Sequence, residues 1–292
     1  MQTKHWFVFI TLGAVWSASF LWIKIAIEEL GPFTIVAYRV LLGLLFAGGV
    51  VILRKLHWPQ NLKEWTPFLI LGLTNMALPF FLITWSELHI DSAVASILNA
   101  TVPLFTLLIA HFFLQDDKMT LQKVIGLLIG FGGVVILLSK DIGASQNSVL
   151  GQLAVILAAV LYGISGVYAR RNTQHVQGIV RGTAPLVSAT AIMWIAAFAA
   201  ESPIQIPALP LTWIALLWLG VLGSGLAFIM VFYLIHEIGP TRTSMVTYLF
   251  PVGGVILGVI FLNEQLSWQL VTGSLLIILS LVIVNWKGPE TK

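Results

Sequence analysis

Arg39 is the permanent charge that stands deepest inside an apolar run of this chain, about 9 Å from the nearer end of that run at 1.5 Å per helical residue. A guanidinium at that depth has three uses. It can receive a substrate carboxylate bidentately, pair with Glu87 or Asp91, or snorkel outward along its aliphatic stem. Charges within a membrane are expensive, so they are kept for function or held by a partner. Lys24 is different: one turn from Glu28, it marks the edge of the apolar layer.

Trp16 sits near the middle of the first run, beside Ser17 and Ser19. Tryptophans prefer the interfacial belt, and Trp6, Trp58, Trp65, Trp85, Trp213, Trp268 and Trp286 fit that rule. Trp16 does not, because at mid-depth its N–H needs a partner or a wet cavity. It reads either as a cavity wall or as packing against a neighbouring helix. Asn75, Asn99, Thr101, Tyr162, Ser165, Ser224, Thr247 and Tyr248 pose the same choice. Facing lipid, each would leave a donor or acceptor unsatisfied, so each must face protein or water. Together with Arg39 these are the candidate substrate-binding residues, and they describe a neutral, partly aromatic chamber. Pro79, Pro103 and Pro251 interrupt helical hydrogen bonding, either as static kinks or as gating hinges.

Missing chemistry narrows the field. No Asp or Glu falls near the middle of an apolar run, which argues against a deep acidic proton relay. Coupling, if any, would run through Glu87 or Asp91 at the rim, or the substrate gradient would drive flux. Gly163-Ile164-Ser165-Gly166 matches the GxSG of rhomboid serine proteases, but a serine nucleophile needs a histidine within reach. The histidine inside a run is His111, near the far end of the fourth. There is no H-E-x-x-H, P-loop or aspartate-rich motif, and there is no cysteine. The sequence therefore predicts no enzyme, cofactor, metal or ATP-driven transport by this chain. A channel or a lipid-handling protein stays open, and saturable flux would separate a carrier from either.

The elements that position these residues are set by composition. Hydrophobic residues make up 58% of the 292 and charged residues 9%, with a mean hydropathy of +0.97. A soluble domain carries about 25% charge, so this chain cannot coat its own surface with polar groups. The net charge of +3 comes without a Lys/Arg block that would track phosphates, which argues against nucleic acid.

Ten apolar spans are predicted at about 6–27, 33–53, 66–86, 92–114, 120–139, 149–169, 178–200, 211–235, 241–262 and 267–286. Gly31-Pro32, Trp58-Pro59, the prolines 203, 207 and 210, and Gly239-Pro240 break them; Thr120 and Ser267 are N-caps that restart helices. The first span follows Lys4 but is too long for a signal-peptide core and lacks an A-x-A site. Tails and even-numbered loops hold 12 of the 15 Lys and Arg residues, which predicts both termini in the cytoplasm.

The chain also repeats. Ile90 through Pro103 aligns with Ile238 through Pro251, placing Ser96 on Ser244, and Leu114-Gln115-Asp116 falls on Leu262-Asn263-Glu264. The division predicted is 1–144 and 145–292, five spans each. Five is odd, so the second copy enters the membrane from the opposite face, as in inverted-repeat transporters. The pairs Gly126/Gly130 and Gly254/Gly258 fit close packing inside the bundle better than dimerisation, so a monomer is favoured.

These residues carry a family resemblance. Trp16-Ser17-x-Ser19-Phe20, Pro103 and Pro251 within spans 4 and 9, and the acidic residue before spans 5 and 10 resemble the EamA repeat of the drug/metabolite transporter superfamily. The segment from Pro251 through Gly273 is its most specific part; Ser17 and Asp116 stand where glycine and glutamate are common. The resemblance implies an all-α bundle of ten transmembrane helices in two inverted repeats. It implies a central cavity lined by spans 1–4 and 6–9, with spans 5 and 10 packed outside. It also implies secondary transport of a small-molecule substrate, with export of amino acids or similar metabolites as the family habit, from a bacterial inner membrane. The only other partner implied is the lipid bilayer. Topology is directly testable in a chain without cysteine: a cysteine introduced at Ser145 reacts with an impermeant reagent added to intact cells, and one at Gln174 does not. The reverse pattern inverts the orientation.

Overall fold

The apolar spans fold as helices, and the computed structural model describes them over residues 2–90, 95, 98–139, 148–202, 204–250 and 268–286. No strand occurs among the described residues. Six stretches are long and apolar enough to cross a bilayer: Thr3–Ala26, Pro32–Leu53, Leu62–Ser86, Val149–Asn172, Gly178–Ala200 and Pro210–Ile238. They correspond to spans 1, 2, 3, 6, 7 and 8. We label the helices α1 (Thr3–Ser17), α2 (Ser19–Ala26), α3 (Pro32–Leu53), α4 (Leu62–Leu71), α5 (Leu78–Ser86), α6 (Val102–Phe113), α7 (Leu121–Leu138), α8 (Val149–Asn172), α9 (Gly178–Ala200), α10 (Pro210–Leu217), α11 (Ala227–Ile238), α12 (Pro240–Ser244) and α13 (Trp268–Asn285).

Several spans are less regular than hydropathy predicts. Span 1 is broken at Ala18, where the Ser17 hydroxyl lies 2.6 Å from the Gly13 carbonyl and 3.2 Å from that of Leu249. Back-bonding of serine to the preceding turn bends helices. Spans 3 and 8 each widen into a π-helical segment, Gly72–Ala77 between α4 and α5 and Trp218–Leu226 between α10 and α11. Pro79 falls in the first turn of α5, just past that segment, so the distortion in span 3 is a π segment followed by proline. Pro103 likewise sits in the first turn of α6, after a turn at Ala100–Thr101, instead of inside one continuous helix. Span 9 begins as α12 and tightens into a 3-10 turn at Met245–Tyr248. Pro251, Ser267 and the Gly254/Gly258 pair lie outside the described residues.

Close crossings hold the bundle together. A Cβ on Gly72 would stand 1.9 Å from the Ser188 Oγ and 2.5 Å from the Pro185 carbonyl, so span 3 meets span 7 at backbone distance. Span 8 meets span 2 in the same manner: a Cβ on Gly220 would lie 2.5 Å from Leu42 and 3.0 Å from the Arg39 carbonyl, and one on Gly43 3.0 Å from the Gly220 carbonyl. Exchanging the two halves maps span 2 onto 7 and span 3 onto 8, so one crossing is the counterpart of the other. The molecule is an all-α bundle with the ten-span inverted-repeat plan. Spans 5 and 10 pair outside it, with Gly126 against Val284 and Gly130 against Ser280 and Tyr248.

Polar ties gather at the two ends. At one end Glu201 caps α3, accepting from the N–H groups of Phe33 (3.0 Å) and Thr34 (2.8 Å), while Glu29 accepts from those of Ala208 and Leu209 at the start of α10. A carboxylate at a helix N-terminus gains from the macrodipole as well as the hydrogen bonds. The Thr212 hydroxyl, with those N–H groups, holds the Glu29 carboxyl below its ordinary value. At the other end Arg170 pairs with Asp116 at 2.6 Å and donates to the carbonyls of Ile235 and His236. That guanidinium lowers the Asp116 carboxyl. Asp117 binds Lys123 at 2.5 Å and accepts from the Thr241 N–H at 3.1 Å, beside Gly239, whose φ of +85° makes the sharp turn into α12.

The close crossings predict a graded response. Gly72→Ala lowers stability by about 1–3 kcal/mol, because both atoms in the way belong to a packed helix. Gly49→Ala, with no atom within 4 Å of its Cβ position, is neutral. Thermal unfolding in one detergent compares the two.

Candidate functional site

Spans 1–4, 6, 8 and 9 enclose a chamber of about 820 Å³, counting its open mouth. Its walls are largely apolar and aromatic with a few polar groups among them, the make-up of a small-molecule site. The lining reaches from Ile23 and Ile83, each within a turn of one membrane face, to Ile235 and Pro240 at the other. Span 7 contributes no lining residue, contrary to expectation. It packs behind α3 and the first π segment instead, held there by the Gly72–Ser188 crossing.

An aromatic chain frames the interior. Trp16 makes edge contacts with Phe228 and Phe250, at 5.9 Å between centroids in each case. Phe20 packs on Phe250 at 6.1 Å, and Phe80 on Phe228 at 5.7 Å. The Arg39 guanidinium lies over the Phe80 ring, 3.6 Å from its centroid. Such a cation–π contact contributes about 2 kcal/mol when both groups are desolvated. It offsets part of the cost of burying a charge, which is of order several kcal/mol.

The second π segment supplies the rest of the Arg39 setting. In a π turn the ladder runs i→i+5, which displaces carbonyls from their usual partners. Ser224 donates to the Leu219 carbonyl at 2.9 Å and accepts from Arg39 Nε at 3.0 Å. The Gly223 carbonyl receives the Trp16 indole N–H at 2.9 Å and Arg39 Nη2 at 3.4 Å. Glu87 attracts the guanidinium electrostatically from further away. Arg39 is therefore held by a backbone carbonyl, a hydroxyl and a ring, and it is the one charged side chain among the described lining residues.

Of the twelve polar and aromatic residues predicted from sequence, the structure brings seven to the chamber: Trp16, Ser19, Arg39, Asn75, Asn99, Tyr162 and Thr247. Asn99 Oδ1 and Ser19 Oγ are buried there with no hydrogen-bond partner among the described residues. The other five are occupied elsewhere. Ser17 serves carbonyls of its own helix and of span 9, Thr101 donates to Leu98, and Ser224 braces Arg39 from behind. Tyr248 donates its hydroxyl to the Leu127 carbonyl of α7, at 2.9 Å, tying the outer pair of helices to span 9. Ser165 donates to the Thr74 hydroxyl at 2.9 Å, while His111 Nδ1 takes the Met119 N–H. That serine and that histidine are thus each engaged with other partners.

Sequence reasoning missed Phe80, Phe228 and Phe250, whose mid-span aromatic character was the available signal, and Thr106, Thr243 and Ser244. It also missed Gly223, which only the cluster Gly220, Gly223 and Gly225 around Ser224 hinted at.

Comparison with known proteins gives a consistent picture. The model of the EamA-like transporter family matches residues 4–139 and 149–286. The Bacillus subtilis protein named uncharacterized transporter YoaV is 27% identical over 92% of this chain and 92% of its own. The Escherichia coli K12 protein named uncharacterized inner membrane transporter YedA is 27% identical over 88% of this chain and 82% of its own. A solved crystal structure superimposes with a TM-score of 0.81, at 22% identity, over 98% of this chain and 97% of its own, which shows the likeness of fold.

Trp16→Phe tests the central hydrogen bond. The ring contacts persist while the donor is lost, so the variant should unfold with a loss of about 1–2 kcal/mol by chemical denaturation. No loss would mean that the Gly223 carbonyl needs no donor from span 1.

Proposed function

We propose, from the premise that this chain belongs to the EamA-like transporter family and is an integral multi-pass membrane transporter, that it works as a secondary carrier of small organic solutes. The observation that carries the reading is the chamber, with walls drawn from both halves of the chain and Arg39 as the one cation among its described lining residues. Solutes that fit it have an apolar or aromatic body and a carboxylate for Arg39. Amino acids and similar metabolites are in that class, and the net direction we assign is export by alternating access. Two oppositely inserted halves of like construction, divided near residues 144 and 145, can exchange conformations about one shared site. The seven chamber-lining residues are the proposed substrate contacts. Pro79, Pro103 and Pro251 would shape or hinge spans 3, 4 and 9.

We place the end bearing Asp116 and Arg170 in the cytoplasm, with both termini, because Lys and Arg concentrate there. A bacterial inner membrane is the proposed location, and the likeness to the inner membrane transporter YedA supports it.

Reconstituted vesicles test the reading. Metabolites that differ between media of cells with and without the protein should enter vesicles saturably, and faster when the same solute is preloaded. Non-saturating flux without such exchange stimulation would mark a pore. Arg39→Ala should weaken carboxylates more than neutral solutes, by roughly tenfold for a charge-assisted contact. Equal loss of both classes would make Arg39 structural.

A further inference from the structure

We infer that Asn75, Asn99 and Tyr162 form a second, uncharged subsite of the chamber, which takes a neutral group able both to donate and to accept hydrogen bonds. The inference rests on the solute-chamber reading above and names the solute more closely: a carboxylate with a hydroxyl or a carboxamide at the far end of its apolar body. What sets these residues apart is where the polar lining spends its hydrogen bonds. Trp16 and Arg39 are engaged at Gly223 and Ser224. Thr106, Thr243, Ser244 and Thr247 each donate to a carbonyl three or four residues back along the chain. Asn75, Asn99 and Tyr162 make no hydrogen bond among the described residues, although Asn75 is 5% and Asn99 3% exposed. Asn99 Oδ1 is enclosed without a donor. Buried amides are ordinarily paired, so idle ones lining a cavity mark where a ligand completes the set.

Three elements bring these residues to one wall. The first π segment, which carries Asn75, packs on α8, and so does α6, which follows the turn after Asn99. Ser165 donates to the Thr74 hydroxyl at 2.9 Å, which fastens the part of α8 that holds Tyr162 beside the Asn75 segment. Asn75 lies five residues before Phe80, the ring beneath Arg39, and so about 7 Å from it along the span. Ser19, whose hydroxyl is also idle, belongs to the Arg39 end, since both side chains stand within 4 Å of the place a Cβ on Gly223 would take. The chemistry of the wall decides its occupant. A carboxamide side chain offers two donors and an acceptor, and a phenol one donor and an acceptor. An ammonium would leave the amide donors unanswered, and among the described lining residues there is no carboxylate to balance its charge. A second carboxylate would leave the amide acceptors unanswered. A hydroxyl or a carboxamide answers both.

The probes are 3-(4-hydroxyphenyl)propanoate and 3-(4-fluorophenyl)propanoate. They share carboxylate, ring and length, and differ in whether the far group donates a hydrogen bond. Calorimetric titration uses the full chain in lipid nanodiscs. Wild type should bind the hydroxyl probe about tenfold more tightly, the effect of one hydrogen bond to groups otherwise left unpaired. Asn99→Leu and Tyr162→Phe should each cut that ratio by at least about threefold and change the fluoro probe less than about twofold. Neither should lower the melting temperature, because the groups they remove make no hydrogen bond among the described residues. Equal affinity for the two probes, binding of neither, or equal weakening of both by the variants overturns the subsite. So does a lower melting temperature in both variants, which would give those groups partners within the protein. The carrier reading is judged apart, by saturable vesicle uptake of the metabolites that differ between media, and survives any of these failures.

Discussion

A peptide carbonyl at membrane depth must find a donor, since no water is present in hydrocarbon to supply one. The π segment of span 8 displaces carbonyls from the ordinary ladder, and that of Gly223 is answered by Trp16 and Arg39 together. This acceptor ties span 1 and span 2 to span 8, joining the two halves of the chain at one atom. Phe228, one turn further along, touches both Trp16 and Phe80, and Phe80 carries the guanidinium. Removing the π turn would therefore take the hydrogen-bond acceptors from a buried guanidinium and an indole N–H.

The glycines next to that turn explain how it is tolerated. Gly43, Gly220 and Gly225 let spans 2 and 8 approach to backbone distance, where dispersion and weak C–H contacts replace side-chain packing. The counterpart crossing at Gly72 pushes span 7 behind span 3 and away from the chamber. Like architecture in the two halves thus yields unlike walls. Arg39 projects from span 2 into the chamber, while span 7 leaves its small residues and Pro185 to packing. The chemistry of the site is asymmetric even though its scaffold repeats.

Much of this was legible in the residues. Apolar runs, Gly31-Pro32 and Gly239-Pro240 gave the spans and their breaks, and the Thr120 side chain caps α7 by accepting from Lys123. The breaks between spans put the polar loops at the two ends, where Glu29 and Glu201 meet span starts at one and Asp116 meets Arg170 at the other. The π segments left no mark in hydropathy, because widening a helix by one residue per turn changes the backbone ladder and not the composition. Polar residues gave the depth of the site but not its faces. Ser19 and Ser17 are two positions apart and point into different surroundings, as do Asn75 and the Thr74 that binds Ser165. Which of two neighbouring hydroxyls turns inward is settled by long-range packing that one span cannot announce.

The unlike chemistry of the two rims has a further consequence. Where Glu29 and Glu201 dock, each carboxylate of one half crosses to a helix start of the other, so parting the halves there strands two sets of N–H groups at once. Where Asp116 meets Arg170, the tie is partly an exposed ion pair, which salt screens readily. Dissolved electrolyte therefore reaches the Asp116–Arg170 pair directly. In the carrier proposed above, salt on that side of the membrane alone would tilt the balance between the two orientations.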